Sequence, residues 1–239
     1  MKKISIIIPV FNEVGNIKIL YNEITNSLKD IFEYEVIFVD DSSTDGSEQL
    51  LKKISNNSFV KVITNNKNMG QSYSLFNGIK EAKNNIIVTL DGDGQNDPRD
   101  ISILLEVFLE SDKISLVGGL RVRRKDSFIK IFSSKIANNF RSFILEDNCP
   151  DTGCGLKIFY RDIFLKLPFF NGIHRFLPAL FNGYGYETRF IPVNHKNRNS
   201  GISKYGTFDR LFKGIIDIVR VKKIISKHKN YKWSILYIH

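Results

Sequence analysis

The order of apolar runs along this chain predicts an α/β protein built on a mainly parallel sheet with helices on both faces. Three observations carry that expectation. Short runs rich in β-branched residues alternate with stretches of helical spacing through the first half of the chain. Those runs are nearly continuous in apolar character, as strands buried on both faces are. Polar and acidic residues fall just after them, where open parallel sheets hold ligands.

Taken in order, Ile4–Val10 is the first β-rich run. Asn16–Phe32 then repeats Ile17, Leu20, Tyr21, Ile24 and Leu28 at helical spacing. Tyr34–Val39 reads as strand and Thr44–Ile54 as helix. Phe59–Ile63 (strand), Gln71–Ala82 (helix) and Ile86–Leu90 (strand) continue the alternation. Asp97-Pro98 reads as an N-cap followed by proline at the first helical position, opening a helix that runs to Leu109. Ile114–Val117 is a further strand.

The second half is less regular. Phe128–Ile144 reads as a helix whose aromatic side belongs to the core, and Gly155–Tyr160 as strand-like. Phe176–Phe181 is an apolar segment around Pro178. Glu187–Val193 reads as a strand, followed by a polar loop over Asn194–Gly206. Phe208, Leu211, Phe212, Ile215 and Val219 then recur at helical spacing, interleaved with Lys213, Arg220, Lys222 and Lys223, which predicts a C-terminal amphipathic helix. There is no internal repeat. The expected organisation is one domain over residues 1–221 and a basic, aromatic extension over 222–239.

Composition limits the function classes. At 239 residues and 42% hydrophobic, the chain supports one large core. No apolar run approaches the roughly 18–20 residues of a membrane-spanning helix. The opening Met1-Lys2-Lys3-Ile4 mimics an export signal, but its apolar stretch is broken by Pro9 and followed by Asn12 and Glu13, so a buried strand is expected there. Two cysteines, Cys149 and Cys154, make neither a disulfide framework nor a metal site, and a cytoplasmic location is the default. The net charge is +10. From Lys196 to His239, eleven Lys and Arg face only Asp209 and Asp217, and a second basic knot is Arg121, Arg123, Arg124 and Lys125. Such patches suit nucleic acid, an anionic membrane or a phosphorylated ligand.

The chemistry concentrates at Asp91-Gly92-Asp93, which ends the run Ile86–Leu90. Side chains two apart in an extended chain share one side, so both carboxylates are expected to reach one cation. Hard oxygen ligands suit Mg²⁺ or Mn²⁺, which bridge to substrate phosphates. Taken alone, the triplet reads first as an Asp-Gly turn. Asn12-Glu13 and Asp40-Asp41 at neighbouring strand ends favour the ligand reading.

The segments Ser5–Glu13, Val39–Ser47, Asn68–Gly78 and Asp91–Pro98 together resemble family 2 glycosyltransferases of the GT-A fold, which has a Rossmann-like, mainly parallel sheet. Within that family they are similar to the dolichyl-phosphate mannose synthase and bacterial polyprenyl-phosphate sugar transferase group. The resemblance implies a nucleotide-sugar site made of Pro9, Phe11, Glu13, Val39, Asp41, Asp91, Gly92 and Asp93. Asp41 would accept a hydrogen bond from a uracil or guanine base. Asp93 would be the main ligand of Mg²⁺ or Mn²⁺, with Gln95 and Asp91 in support. Arg121 would contact substrate phosphate, as would Arg198 and Lys204 within the run His195–Tyr205.

Asp151 sits where the family carries its acceptor-side acid. It is expected to act as general base or, since a phosphate monoester has a second pKa of about 6, to orient an acceptor that is already ionised. Asp147 is a weaker rival. His174-Arg175 would face a lipid headgroup or phosphate, His174 alone reading as structural, and Lys157 and Lys166 read as surface residues.

The implied activity is inverting transfer from a GDP- or UDP-linked sugar to a polyprenyl phosphate, by an enzyme lying peripherally on the inner face of the membrane. The basic helix supports an anionic membrane partner, each basic residue contributing about 1 kcal/mol at such a surface. Trp233, Tyr231 and Tyr237 would sit at the interface. The alternatives are a glycan or lipid-linked saccharide acceptor or, in another class, a basic module binding nucleic acid or membrane; the ordered acidic motifs disfavour nucleic acid.

Overall fold

The computed structural model describes residues 2–29, 31–122, 138–196 and 207–236, with side chains in the last stretch described over 214–230. Strands β1 (Lys3–Val10), β2 (Glu33–Asp40), β3 (Val60–Thr64), β4 (Ile86–Thr89), β5 (Ile114–Arg121), β6 (Lys157–Tyr160) and β7 (Glu187–Val193) form one sheet. Its order is β3-β2-β1-β4-β6-β5-β7. The helices are α1 (Val14–Leu28), α2 (Ser47–Ile54), α3 (Gln71–Lys80), α4 (Asp100–Phe108), α5 (described over 138–145), α6 (Arg161–Lys166), α7 (Leu177–Gly183) and α8 (Thr207–Leu236). A short 3-10 turn spans Ile173–Arg175.

The two-residue period of the strands divides the core. Ile4, Ile6, Ile8, Val36, Phe38, Ile86, Val88 and Ile158 pack on one face with the buried sides of α1, α2 and α4. Ile7, Ile37, Val39, Ile87 and Phe159 point to the other face, against α3, α6, α7 and α8. These strands are apolar on both sides, which is why their sequences read as unbroken hydrophobic runs.

Strand polarity brings the polar ends together. β1, β2 and β4 are parallel neighbours, so the residues after Val10, Asp40 and Thr89 share one edge. β6 departs from the expected pattern. It runs antiparallel to both β4 and β5, pairing Lys157 with Thr89 and with Gly118. Its start, together with the loop 151–155 before it, therefore lies at the same edge as the ends of its neighbours.

Most predicted elements recur with ends shifted by a few residues, but three details differ. Asp97 is not an N-cap: α4 starts at Asp100, and the Asp97 carboxylate instead accepts the backbone N–H of Arg99 (3.1 Å) and its guanidinium (2.6 Å). The segment around Pro178 is helical, with proline in the first turn of α7, where its missing N–H costs nothing. Helix α6 and the 3-10 turn, too short to leave a periodic signature, were not expected. Residues 128–137 of the predicted aromatic helix lie outside the described residues.

Helix α8 runs unbroken through the 221/222 boundary, and Ile218, Val221 and Ile225 all join the core on the α7 face. Lys222 Nζ fastens it to the end of α5, donating to the Ile144 carbonyl (2.9 Å) and to Glu146 (3.2 Å). No helix among the described residues is long and apolar enough to cross a membrane.

Candidate active site

The shared strand edge opens into a cavity of about 620 Å³. Pro9, Phe11, Glu13 and Asp41 line it from β1 and β2, and Asp91, Gly92 and Asp93 from the end of β4. Gly153, Cys154, Gly155 and Lys157 line it from β6, and Gln71, His174 and Arg175 close the remaining side. Val39 does not reach it; its side chain is wholly buried in the core beneath.

The acidic triplet is a turn, not an extended segment. β4 stops at Thr89, and the Asp93 carboxylate accepts the N–H of Gln95 (3.1 Å) to fold the chain back. Both carboxylates nevertheless line the cavity, and the charge of Asp93 acts on Asp91. Gly92 lies so close to the Pro9 carbonyl that an added Cβ would come within 2.7 Å of it, and a Cβ on Gly155 would come within 2.2 Å of Asp91 Oδ2. Glycine at these two positions is what lets the Asp91 carboxylate lie flat between β1 and β6.

Asp91 is held from several directions. Gln71 Nε2 donates to its Oδ1 (2.8 Å), and its own N–H donates to Asn96 Oδ1 (3.1 Å). Burial, and then the neighbouring charge of Asp93, push its pKa up to about 6, against the opposing pull of Lys157 and Arg121. A carboxylate in that position gains from a cation. Among the described residues no three His, Cys, Asp or Glu side chains cluster as a self-sufficient metal site. Two carboxylates facing an open cavity instead match Mg²⁺ or Mn²⁺, which take one or two carboxylates and complete their shell with phosphate oxygens and water. Asp91 and Asp93 fit that role. Gln95 turns its amide N–H toward the Lys196 carbonyl (3.4 Å), leaving its oxygen as the group with ligand character.

Asp41 has a structural task at this edge. Its Oδ1 accepts from Asn65 Nδ2 (2.8 Å) and the Met69 N–H (2.9 Å), and its Oδ2 from the Gly70 N–H (2.7 Å). It thereby fixes the loop that launches α3, whose first residue, Gln71, reaches Asp91. A carboxylate has about four acceptor positions, so three bonds leave room for one more partner in the cavity.

Arg121 and Asp151 hold each other. The guanidinium donates through Nε and a terminal nitrogen to the two carboxylate oxygens, 2.7 Å each, and the Gly153 N–H adds a third bond at 3.1 Å. Both are largely buried, and neither lines the cavity. With both oxygens engaged away from the cavity wall, Asp151 positions Arg121 and the loop 151–155. Asp147 is farther from the chemistry, buried in a pair with Arg141. Arg198 and Lys204 lie outside the described residues. The chain leading to them is anchored beside the acidic turn: Asn96 bridges His195, and the Lys196 N–H donates to the Gln95 carbonyl (2.8 Å).

Lys157 corrects the sequence reading most sharply. Expected at the surface, it is only 5% exposed and lines the cavity. The signal was available: in a strand, Lys157 shares a face with Phe159, and that face is core. His174 is tied into the protein's own hydrogen bonding. Its Nδ1 lies 2.6 Å from the Ser72 hydroxyl, which also accepts the Gly172 N–H (2.8 Å). Burial, followed by the fields of Lys157 and Arg175, depresses its pKa to about 3, and the imidazole is neutral at physiological pH. Arg175 pairs with Asp217 of α8 (2.9 Å).

The sequence profile of Glycosyl transferase family 2 matches residues 5–167. Over 222 residues the chain is 33% identical to undecaprenyl-phosphate 4-deoxy-4-formamido-L-arabinose transferase of Yersinia pestis (strain Pestoides F), an alignment covering 92% of this chain and 67% of that one. Dodecaprenyl-phosphate galacturonate synthase of Rhizobium johnstonii is 32% identical over 225 residues, 92% of this chain and 66% of its own. The chain thus spans about two thirds of the length of these curated relatives. Among solved structures, glucosyl-3-phosphoglycerate synthase from Mycobacterium tuberculosis, in complex with Mn²⁺, UDP and glucosyl-3-phosphoglycerate, superimposes with a TM-score of 0.69 at 18% identity, covering 92% of this chain and 78% of that one. The same enzyme with Mg²⁺ and UDP also gives 0.69 at 18% identity, covering 91% and 79%. At that identity the likeness is one of fold.

The His174 environment sets a pH dependence. In the unfolded chain a histidine titrates near 6.5, whereas here its pKa is about 3. Between those values the unfolded state binds the extra proton, so the stability contributed by neutral His174 is complete above about pH 6.5 and is lost as pH falls toward 3. Thermal midpoints of the protein between pH 7.5 and 4.5 should fall more steeply than those of His174→Gln; parallel curves would contradict the assignment.

Proposed function

The chain belongs to glycosyl transferase family 2, and from that membership we propose that it transfers a sugar from a nucleoside-diphosphate donor to a polyprenyl phosphate, with inversion at the anomeric carbon. It is a glycosyltransferase, and its sheet with helices on both faces is the GT-A fold of its solved neighbours. The observation that carries the proposal is the Asp91–Asp93 turn on the cavity wall, at the edge where the parallel strands end. The relatives named for undecaprenyl- and dodecaprenyl-phosphate products support the acceptor.

In this reading the base and ribose lie over Pro9, Phe11 and Glu13, with the remaining acceptor position of Asp41 toward the base. Asp91 and Asp93 would hold a divalent ion, with Gln95 in support, and that ion would neutralise the diphosphate as it leaves. Gln71 keeps the Asp91 carboxylate turned to the cavity. Arg198 and Lys204, carried by the chain that departs beside Gln95, are proposed to reach the phosphates. The acceptor oxygen attacks the anomeric carbon on the face opposite the diphosphate, and the C–O bond to the diphosphate breaks. A phosphate monoester is largely dianionic at neutral pH, so no residue has to remove its proton. Asp151 bound to Arg121 is consistent with that economy: it orients the arginine and the loop 151–155.

A polyprenyl acceptor requires access to a lipid surface. Helices α5 and α8 offer one. Phe143 is 85% exposed, Phe140 is also largely exposed, and Ile215, Ile216 and Val219 are about half exposed, with Lys222 and Lys223 following on α8. Aromatic and aliphatic side chains beside basic ones suit the interface of an anionic bilayer. We propose peripheral association of this face with the inner leaflet.

Two measurements test the reading. With Mn²⁺ and a panel of UDP- and GDP-sugars, transfer to a polyprenyl phosphate should exceed transfer to an oligosaccharide, and Asp93→Asn should lower turnover roughly 100-fold or more with an unchanged thermal midpoint; near-normal turnover ends the metal assignment. Separately, Phe143→Ser should reduce co-sedimentation with anionic vesicles without altering donor binding. Equal sedimentation of the two proteins removes α5 from the membrane face.

A further inference from the structure

Lys157 is a buried cation without a buried counterion in contact. Among the described residues its Nζ donates to one group, the carbonyl of Cys154, and no carboxylate lies within ion-pair distance. An ammonium group has three N–H donors. Burying such a charge without pairing it is costly, and an apolar residue would fill the position between Leu156 and Ile158 more cheaply. The side chain lines the cavity, with His174 and Arg175 also on its wall. After burial, the charges of Lys157 and Arg175 both count against protonating His174.

Sheet order separates this position from the donor's anchor points. Asp41 follows β2, Pro9 and Phe11 belong to the end of β1, Asp91 and Asp93 follow β4, and Lys157 begins β6, the next strand across. A donor with its base at β1 and β2 and its diphosphate at β4 reaches β6 only with its sugar. We propose that Lys157 seats a second substrate oxyanion, distinct from the donor diphosphate, on the sugar side of the cavity. Two sources share that chemistry: the phosphate of the acceptor and a carboxylate on the transferred sugar. The proposal rests on the donor reading above for the position of the diphosphate. The lysine itself is a binding residue, its N–H donors directed at the anion.

The test compares the wild-type chain with Lys157→Met and Lys157→Gln by calorimetric titration and thermal midpoint. The probes are UDP with Mn²⁺, geranyl phosphate, and UDP-glucuronate against UDP-glucose. The expected result, read at pH 8.5 so that Asp91 stays ionised without the field of Lys157, is affinity for UDP with Mn²⁺ within about twofold of wild type, at least a tenfold loss of affinity for geranyl phosphate, and a cooperative ligand-free transition in both variants. Unchanged geranyl phosphate binding with loss of a preference for UDP-glucuronate also supports the seat and assigns it to the sugar. Weakened binding of UDP with Mn²⁺ would overturn the proposal, because Lys157 would then serve the diphosphate. So would unaltered binding of every probe, wild-type protein that binds neither geranyl phosphate nor UDP-glucuronate in preference to UDP-glucose, or failure of both variants to fold. If wild type does not bind UDP with Mn²⁺, the donor reading fails, while the geranyl phosphate comparison still reads Lys157.

Discussion

Negative charge packed where the protein is dense is the constraint around which this site is arranged. Asp91 is buried within reach of the charge of Asp93, and its carboxyl is raised to about 6 by burial and by that neighbour. Left alone, such a pair would shed a charge by taking up a proton. The surrounding elements keep it near ionisation instead. Gln71 donates a hydrogen bond, Lys157 and Arg121 supply opposing fields, and Gly155 leaves the space the carboxylate occupies. They come from α3, the end of β5 and the start of β6. The relative placement of α3, β5 and β6 is therefore a condition for having two carboxylates at one turn.

A linked set of hydrogen bonds supplies part of that placement. Asp41 ties down the loop 65–70, the loop starts α3, and α3 begins with the glutamine that reaches Asp91. On the other side, the fork between Arg121 and Asp151 fixes the loop before β6. The two ends of the cavity are thus set by carboxylates whose acceptor positions are largely taken by the protein itself. The acidic turn between them presents oxygen that a divalent ion can use, and this division of labour suits a reaction whose acceptor arrives already ionised.

How much of this was legible in the sequence follows from how local each signal is. The strands of the first half were readable because each is an unbroken apolar run, and the carboxylates at their ends because parallel neighbours share an edge. The antiparallel course of β6 was not readable. Nothing within Lys157–Tyr160 states its direction, and so Lys157 read as a surface residue when it is a cavity wall. Asp97 followed by Pro98 mimics a helix cap, but the carboxylate found a stronger partner in Arg99. Asp151 and Arg121 were both picked out, thirty residues apart; that they bind one another is a tertiary fact that neither local context contains.

Asp91 and Asp93 are proposed to form half of a metal site that substrate phosphate completes. Electron paramagnetic resonance of Mn²⁺ mixed with the protein tests it directly, because free and bound Mn²⁺ give separable signals. Little Mn²⁺ should bind to the protein alone, and close to one ion per chain once UDP is added. Equal binding of Mn²⁺ with and without UDP, or no binding in either case, would contradict it.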